Sequence, residues 1–338
     1  MKNNKIQDNF IKTFLRESEL HQDHYSISML AGDGSKRRFY RIRFGDYKRT
    51  FIFMENKPQD SFLVKENRAY LMIGNHMLSK GIPLPQIYKY DLAKGFFILE
   101  DMGDRALQDE ALSSNKRIIM YENVIETLLK LQTEGRENFD TAWCCQTPFY
   151  DSSLMREKEA WYFRDAFLKD YIQTGTDLSS LNESFEYIIA EAEKAGKNYL
   201  LHRDFQSRNI MCHDSGIAIL DWQGARLGPL AYDLASLLFD PYVDLLPDER
   251  QHLVSVYSSL LKDKEPDACE TFKRYFIYIA VMRNLQVLGA YSFLSMKQGK
   301  HYFEQYIPPA LKSLKALLKE ISHPNLVPLL DIVNDLGE

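Results

Sequence analysis

From Tyr25 to Asp101 the apolar positions come in short runs, and FYRIRF (39–44), RTFIFME (49–55) and GFFILE (95–100) are the clearest β-strand candidates around one helix. After Asp101 the period lengthens. Ile118, Ile119, Val124, Ile125, Leu128 and Leu129 recur at helical spacing and predict an amphipathic helix, with Ser113 and Ser114 as its capping candidates. Phe10, Ile11, Phe14 and Leu15 form a similar stripe near the start of the chain. An α+β architecture follows, a small β-rich N-terminal lobe and a larger helical C-terminal one, with the change at EDMGD (100–104). We place the division at residues 1–102 and 103–338.

One stretch of the helical part keeps strand character. Tyr199 to Leu201 and Ile217 to Leu220 are short apolar runs flanking a polar loop that contains Ile210 and Met211, with a turn at His213 to Gly216. Loops held by rigid elements are a common seat of catalytic groups.

Composition narrows the classes. The chain has 338 residues, 45% hydrophobic and 26% charged, which excludes disorder and fibrous architectures. Its 42 Lys and Arg against 47 Asp and Glu leave no basic excess, so neither nucleic acid nor an anionic membrane is an expected partner. Cys144, Cys145, Cys212 and Cys269 lack zinc-site spacing, and the first residues lack a signal-peptide core. The most apolar stretch, Phe276 to Met282, is far short of the ~20 residues of a membrane span. These features predict a cytoplasmic protein.

His202, Asp204 and Asn209 form H-x-D-x-x-x-x-N, and Asp221 follows the next apolar run. Phosphoryl transfer needs a carboxylate to orient and deprotonate the acceptor hydroxyl, and hard oxygen ligands for magnesium on the nucleotide phosphates. Asp204 suits the first task as the catalytic residue, Asn209 and Asp221 the second as metal ligands, and His202 is expected to brace the loop. A hairpin after Asn209 would return the chain so that Asp221 lies near it. Such residues are also common in turns, but four in order between two apolar runs favour the catalytic reading. Gly32, Asp33, Gly34 and Ser35 lie between two strand candidates, where backbone N–H groups can cover ATP phosphates. A plain tight hairpin is the competing reading of that turn.

HRDFQSRN followed by AILDW resembles the Brenner-type motif of the aminoglycoside phosphotransferase and choline kinase superfamily, relatives of the protein kinases. Protein kinases themselves fit less well, since Trp222 and Gln223 stand where Phe-Gly would follow the metal aspartate, and no A-P-E intervenes before LAYDLASLL. LAGDGSKRRFYRI, GFFILEDMGD, HRDFQSRNIM, LDWQGARLGPLAYDLASLLFDPYVD and MRNLQVLGAYSFL are similar to the bacterial anomeric sugar kinases of cell-wall recycling. This resemblance implies a protein-kinase-like two-lobed fold, ATP and Mg²⁺ as cofactors, and phosphorylation of N-acetylmuramate or N-acetylglucosamine at the anomeric hydroxyl. Glu100 to Met102 would be the hinge whose backbone faces adenine, so Glu100 and Met102 join the ATP-binding set. No protein partner is evident.

Met54 and Glu55 stand where a protein kinase would carry its phosphate-pairing lysine, and the resembling sugar kinases also lack it. Lys57 and Lys65 read as surface lysines, and Glu66 reads either as the partner of such a lysine or as a first-turn acid. For the acceptor we single out Gln223 and Arg283, with Gln286 and Arg226 beside them; an arginine would match a lactyl carboxylate. The competing reading of Arg283 is a helix-tying pair with an acid such as Asp233. Trp161, Tyr162 and Phe163 read as core before sugar-stacking residues. Other acceptors stay open, an aminoglycoside or choline among them, for which Asp240 and Asp244 are spare acids. A nucleotide-binding pseudokinase is the reading from another class.

Overall fold

The computed structural model describes residues 2–18, 25–30, 37–44, 49–214 and 216–336. Contacts divide the chain into two units, each with its own core. The first comprises Met1–Asp104, Trp143–Cys145 and Met211–Gln223, the second Arg105–Ala142, Gln146–Ile210 and Gly224–Glu338. A sequence reading with a single cut has no means of assigning the two later segments to the first unit, because what holds them there is distant in sequence.

In the first unit β1 (Tyr25–Met29), β2 (Arg38–Phe44), β3 (Thr50–Glu55), β4 (Ile87–Asp91) and β5 (Phe96–Glu100) form an antiparallel sheet of order β1-β2-β3-β5-β4. The three expected strands are β2, β3 and β5. Helix α1 (Lys2–Glu17) buries Phe10, Ile11, Phe14 and Leu15 against Ile42, Phe44, Phe51, Phe53, Phe96 and Ile98, so its apolar stripe is one wall of a core. Helix α2 (Ser61–Ser79) starts at Asp60, whose carboxylate accepts the Leu63 N–H at 2.8 Å, a cap worth about 1 kcal/mol.

The same unit takes in most of a hairpin made of β7 (Ile210–His213) and β8 (Gly216–Ile219). The Ile219 N–H donates to Pro83 O at 2.8 Å. Trp222, fully buried, stacks on Tyr70 with ring centroids 4.3 Å apart and donates its indole N–H to Tyr70 O at 2.8 Å. Gly74 makes this approach possible, because a Cβ there would fall 2.7 Å from Trp222 Nε1.

The second unit is helical: α3 (Leu107–Ser113), α4 (Arg117–Glu134), α5 (Ser152–Met155), α6 (Leu181–Glu193), α7 (Ala231–Leu238), α8 (Pro247–Lys264), α9 (Pro266–Gln298), α10 (Ile307–Glu320) and α11 (Val327–Asp335). After α5 the chain winds through two π-helical stretches, Arg156–Ala160 and Phe163–Tyr171. A small antiparallel pair, β6 (Tyr199–Leu201) with β9 (Arg226–Gly228), frames the motif loop. The expected serine caps are a correction. Ser113 ends α3, Ser114 Oγ accepts the Lys116 N–H at 3.0 Å, and α4 starts after Lys116 without a side-chain cap, because a short acidic-started helix intervenes.

Helix α9 carries the apolar stretch Phe276 to Met282 within its 33 residues. By length and composition it could cross a membrane, but 67% of its apolar window is buried within the protein, and Arg283 and Asn284 lie buried at its middle. It packs on α6, α7, α8, α10 and the second π-helical stretch. At Gly289 a Cβ would come within 2.9 Å of the Tyr162 backbone, so only glycine permits that approach.

Candidate active site

The loop from His202 to Asn209 leaves β6 and enters β7 through a short 3₁₀ turn, Ser207–Asn209. Two buried carboxylates of the second unit hold its main chain. Asp233, on α7, accepts the N–H of His202 at 2.6 Å and of Arg203 at 2.9 Å. Asp240 accepts the Ser207 N–H at 2.7 Å and its hydroxyl at 2.6 Å, and its other oxygen takes the Tyr242 N–H at 3.0 Å. Burial raises both carboxyls above their ordinary value, and the hydrogen bonds they accept oppose that shift. Each N–H they satisfy would otherwise cost about 1–3 kcal/mol in the interior.

Arg203 adopts a left-handed backbone, φ 82°, and its guanidinium lies over the Tyr232 ring at 4.6 Å and 3.4 Å from the buried Glu159 carboxylate. Glu159 also accepts the hydroxyls of Tyr150 at 2.5 Å and Tyr232 at 3.1 Å. Arg208 is tied to Gln108 at 2.8 Å and lies 3.9 Å over Tyr242. Amid this fixed framework the Asp204 side chain is exposed. Its carbonyl accepts the Gln206 N–H at 2.9 Å and Asn209 Nδ2 at 2.8 Å, which orients the Asn209 amide with Oδ1 as its outward atom.

The His202 ring is fully buried, sits edge-on to Phe205, and has no hydrogen-bond partner for either nitrogen among the described residues. Its link to Asp233 runs through the main chain.

Asp221, in the first unit, follows β8 with a left-handed backbone, φ 68°, a conformation costing a non-glycine residue about 1–2 kcal/mol. Such strain persists only where surrounding contacts impose it. Here Arg37 supplies one: its Nη2 lies 2.6 Å from Asp221 Oδ1, and its Nη1 donates to Gln223 Oε1 at 2.9 Å. Glu66, hydrogen-bonded by Asn56 at 2.8 Å, adds a second negative charge near Arg37, and these acids hold the guanidinium above its ordinary value against the burial that lowers it. Gln223, expected in the acceptor set, is buried, and its side-chain oxygen accepts this bond from Arg37.

Arg283 is corrected twice. No bond to Asp233 forms, because Asp233 serves the loop; instead Arg283 Nε donates to Ser236 Oγ at 2.7 Å and Nη1 to Gln286. The guanidinium is 3% exposed, under Tyr232, where the Asp204 charge is among the influences raising it against burial. Arg226 is buried on Gln146 and Thr147, both at 2.7 Å. Phe163 is core as expected, while Trp161 is exposed beside Arg164.

Glu100 closes β5, its N–H bonded to Gln86 O at 2.9 Å, and Met102 follows half-buried. Between them Asp101 receives Arg41 Nε at 2.6 Å and Thr50 Oγ1 at 2.6 Å, and Arg41 Nη1 reaches Asp104. Gly32, Asp33, Gly34 and Ser35 lie outside the described residues. Lys57 is half-exposed on Glu55 at 3.3 Å, and Lys65 is exposed. The spare acids are spent: Asp240 on the loop, Asp244 on Arg250 at 2.9 Å.

The oxygens of Asn209 and Asp221 are donors of the kind magnesium takes, so the residues present fit that ion. Sequence reasoning did not single out Arg37, and it gave Asp233 and Asp240 other parts, as a pair for Arg283 and as a spare acid. An aspartate inside the apolar run LAYDLASLLFD was the available signal for the last two, since an acid buried there needs partners.

Residues 28–267 match the phosphotransferase enzyme family. Over 320 residues the chain is 25% identical to the N-acetylmuramate/N-acetylglucosamine kinase of Neisseria meningitidis, covering 92% of this chain and 91% of that one. The Pseudomonas aeruginosa protein of the same name is 24% identical over 317 residues, 91% of this chain and 88% of that one. An ethanolamine kinase from Plasmodium vivax superposes with a TM-score of 0.60 at 14% identity, covering 92% of this chain and 85% of that one. That likeness carries the protein-kinase-like fold.

Proposed function

The chain belongs to the phosphotransferase enzyme family, and from this we propose that it transfers the γ-phosphoryl group of ATP to the anomeric hydroxyl of an N-acetylated amino sugar, N-acetylmuramate or N-acetylglucosamine. The observation that carries the enzymatic part is the Asp204 loop: an exposed carboxylate on a main chain fixed by two buried acids. Preorganisation of this kind spares a reacting group the cost of reordering in the transition state.

In this reading Asp204 accepts the proton of the sugar hydroxyl and orients its oxygen for attack. Asn209 and Asp221 would hold magnesium, which when bound neutralises charge on the phosphate oxygens. Glu100 and Met102 would present backbone groups to adenine, on a segment that Arg41 and Asp101 brace. His202 supports the catalytic loop through its peptide N–H. The first unit thus serves the nucleotide and the second the acceptor, in the reducing cytoplasm, where the four cysteines, none of them in a disulfide, are stable.

The test is incubation with ATP and magnesium against N-acetylmuramate, N-acetylglucosamine, an aminoglycoside and choline separately, with products identified by mass spectrometry and phosphorus NMR. A sugar 1-phosphate is expected. Phosphate on an aminoglycoside or choline would overturn the acceptor and retain the Asp204 chemistry; no transfer to any acceptor would overturn both.

A further inference from the structure

Protein kinases place a strand lysine against the phosphates, between a helix glutamate and the metal aspartate. In this chain the corresponding strand position is Met54, fully buried and paired with Phe39 and Phe97. Neither Lys57, held by Glu55, nor the exposed Lys65 stands between such acids. Arg37 does. It precedes β2 by one residue, and two residues before Phe39 it falls by strand alternation on the sheet face that Phe39 and Met54 share. Its Nη2 meets Asp221 at 2.6 Å, and Glu66 of α2 is a further acid whose charge acts on it.

We propose that Arg37 contacts the phosphates of the bound nucleotide, the task of the absent lysine, with Asp221 and Gln223 aiming its guanidinium. The inference rests on the phosphotransferase reading. A guanidinium is planar and permanently charged, and it matches phosphate oxygens two at a time. Burial makes each such contact stronger than it would be in water. The two recorded partners fix the plane of the fork before a ligand arrives, so little side-chain entropy is lost on binding.

The experiment is titration calorimetry of the full chain with ATP, ADP and adenosine, each with and without magnesium, for the wild type, Arg37→Met, Arg37→Gln and Arg37→Lys. Arg37→Gln keeps a hydrogen-bonding side chain and guards against a Met variant that does not fold. Loss of a charged phosphate contact predicts about 10- to 100-fold weaker ATP and ADP binding in Arg37→Met and Arg37→Gln, adenosine affinity unchanged, and partial recovery in Arg37→Lys. Equal weakening of ATP and adenosine would reveal a merely structural residue and overturn the proposal, as would unchanged ATP affinity in either folded neutral variant. A wild type that binds no ATP overturns the phosphotransferase reading itself, and this inference with it.

Discussion

Asp240 holds Ser207 by two hydrogen bonds, accepting its N–H at 2.7 Å and its hydroxyl at 2.6 Å, in the middle of the loop that carries Asp204 and Asn209. An acid that a sequence offers as a spare charge for a cationic substrate is thereby part of the scaffold. Asp240→Ala leaves two donors of Ser207 buried without a partner, so unfolding free energy should fall by about 2–4 kcal/mol. Urea denaturation measures the loss. Faster hydrogen exchange at the Ser207 amide would locate it, and an unchanged urea midpoint would show the contact to be dispensable.

Asp204→Ala removes an exposed carboxylate with no packing role, so the expected pattern is the reverse. Turnover should drop by the ~10²–10⁴ of a lost general base, with the thermal midpoint and ATP affinity preserved. Near-wild-type turnover would remove Asp204 from the mechanism.

The segment after β5 carries a pH dependence. Burial alone would raise the Asp101 carboxyl, but hydrogen bonds from Arg41, Thr50 and the Gly103 N–H outweigh it and hold the group below its ordinary 3.8. A depressed acid stabilises the fold above its ordinary pKa, and that contribution fades as pH falls through the folded value. Asp101→Asn should therefore be less stable than the wild type at pH 7, with the gap narrowing below about pH 4. Urea midpoints at several pH values decide it; a gap that stays constant with pH would mean that Asp101 contributes through shape alone.

Gly74→Ala would drive a methyl group to 2.7 Å from the Trp222 indole. Since the ring is stacked on Tyr70 and hydrogen-bonded to its carbonyl, relief requires moving the segment that also positions Asp221. Overpacking of this kind costs about 1–3 kcal/mol. Intrinsic tryptophan fluorescence should shift alongside a lowered thermal midpoint, and an unchanged spectrum would show that the segment gives way freely.

Much of this molecule was legible in the order of its residues. The short apolar runs around Phe51 and Phe97, the helical stripe through Val124 and Leu128, and the spacing of His202, Asp204 and Asn209 are local patterns that mark the elements and the candidate loop. Tertiary structure alone decided which charges serve that loop. Arg37 meets Asp221 and Gln223 across more than 180 residues of chain, and Asp233 and Asp240 reach back about thirty to hold His202 and Ser207. The apolar run around Asp233 and Asp240 hints at their burial, but the neighbouring sequence names no partner for them or for Arg37, because partners are chosen by burial: an ionised side chain taken out of water must find whatever donor or counter-charge the fold brings to it.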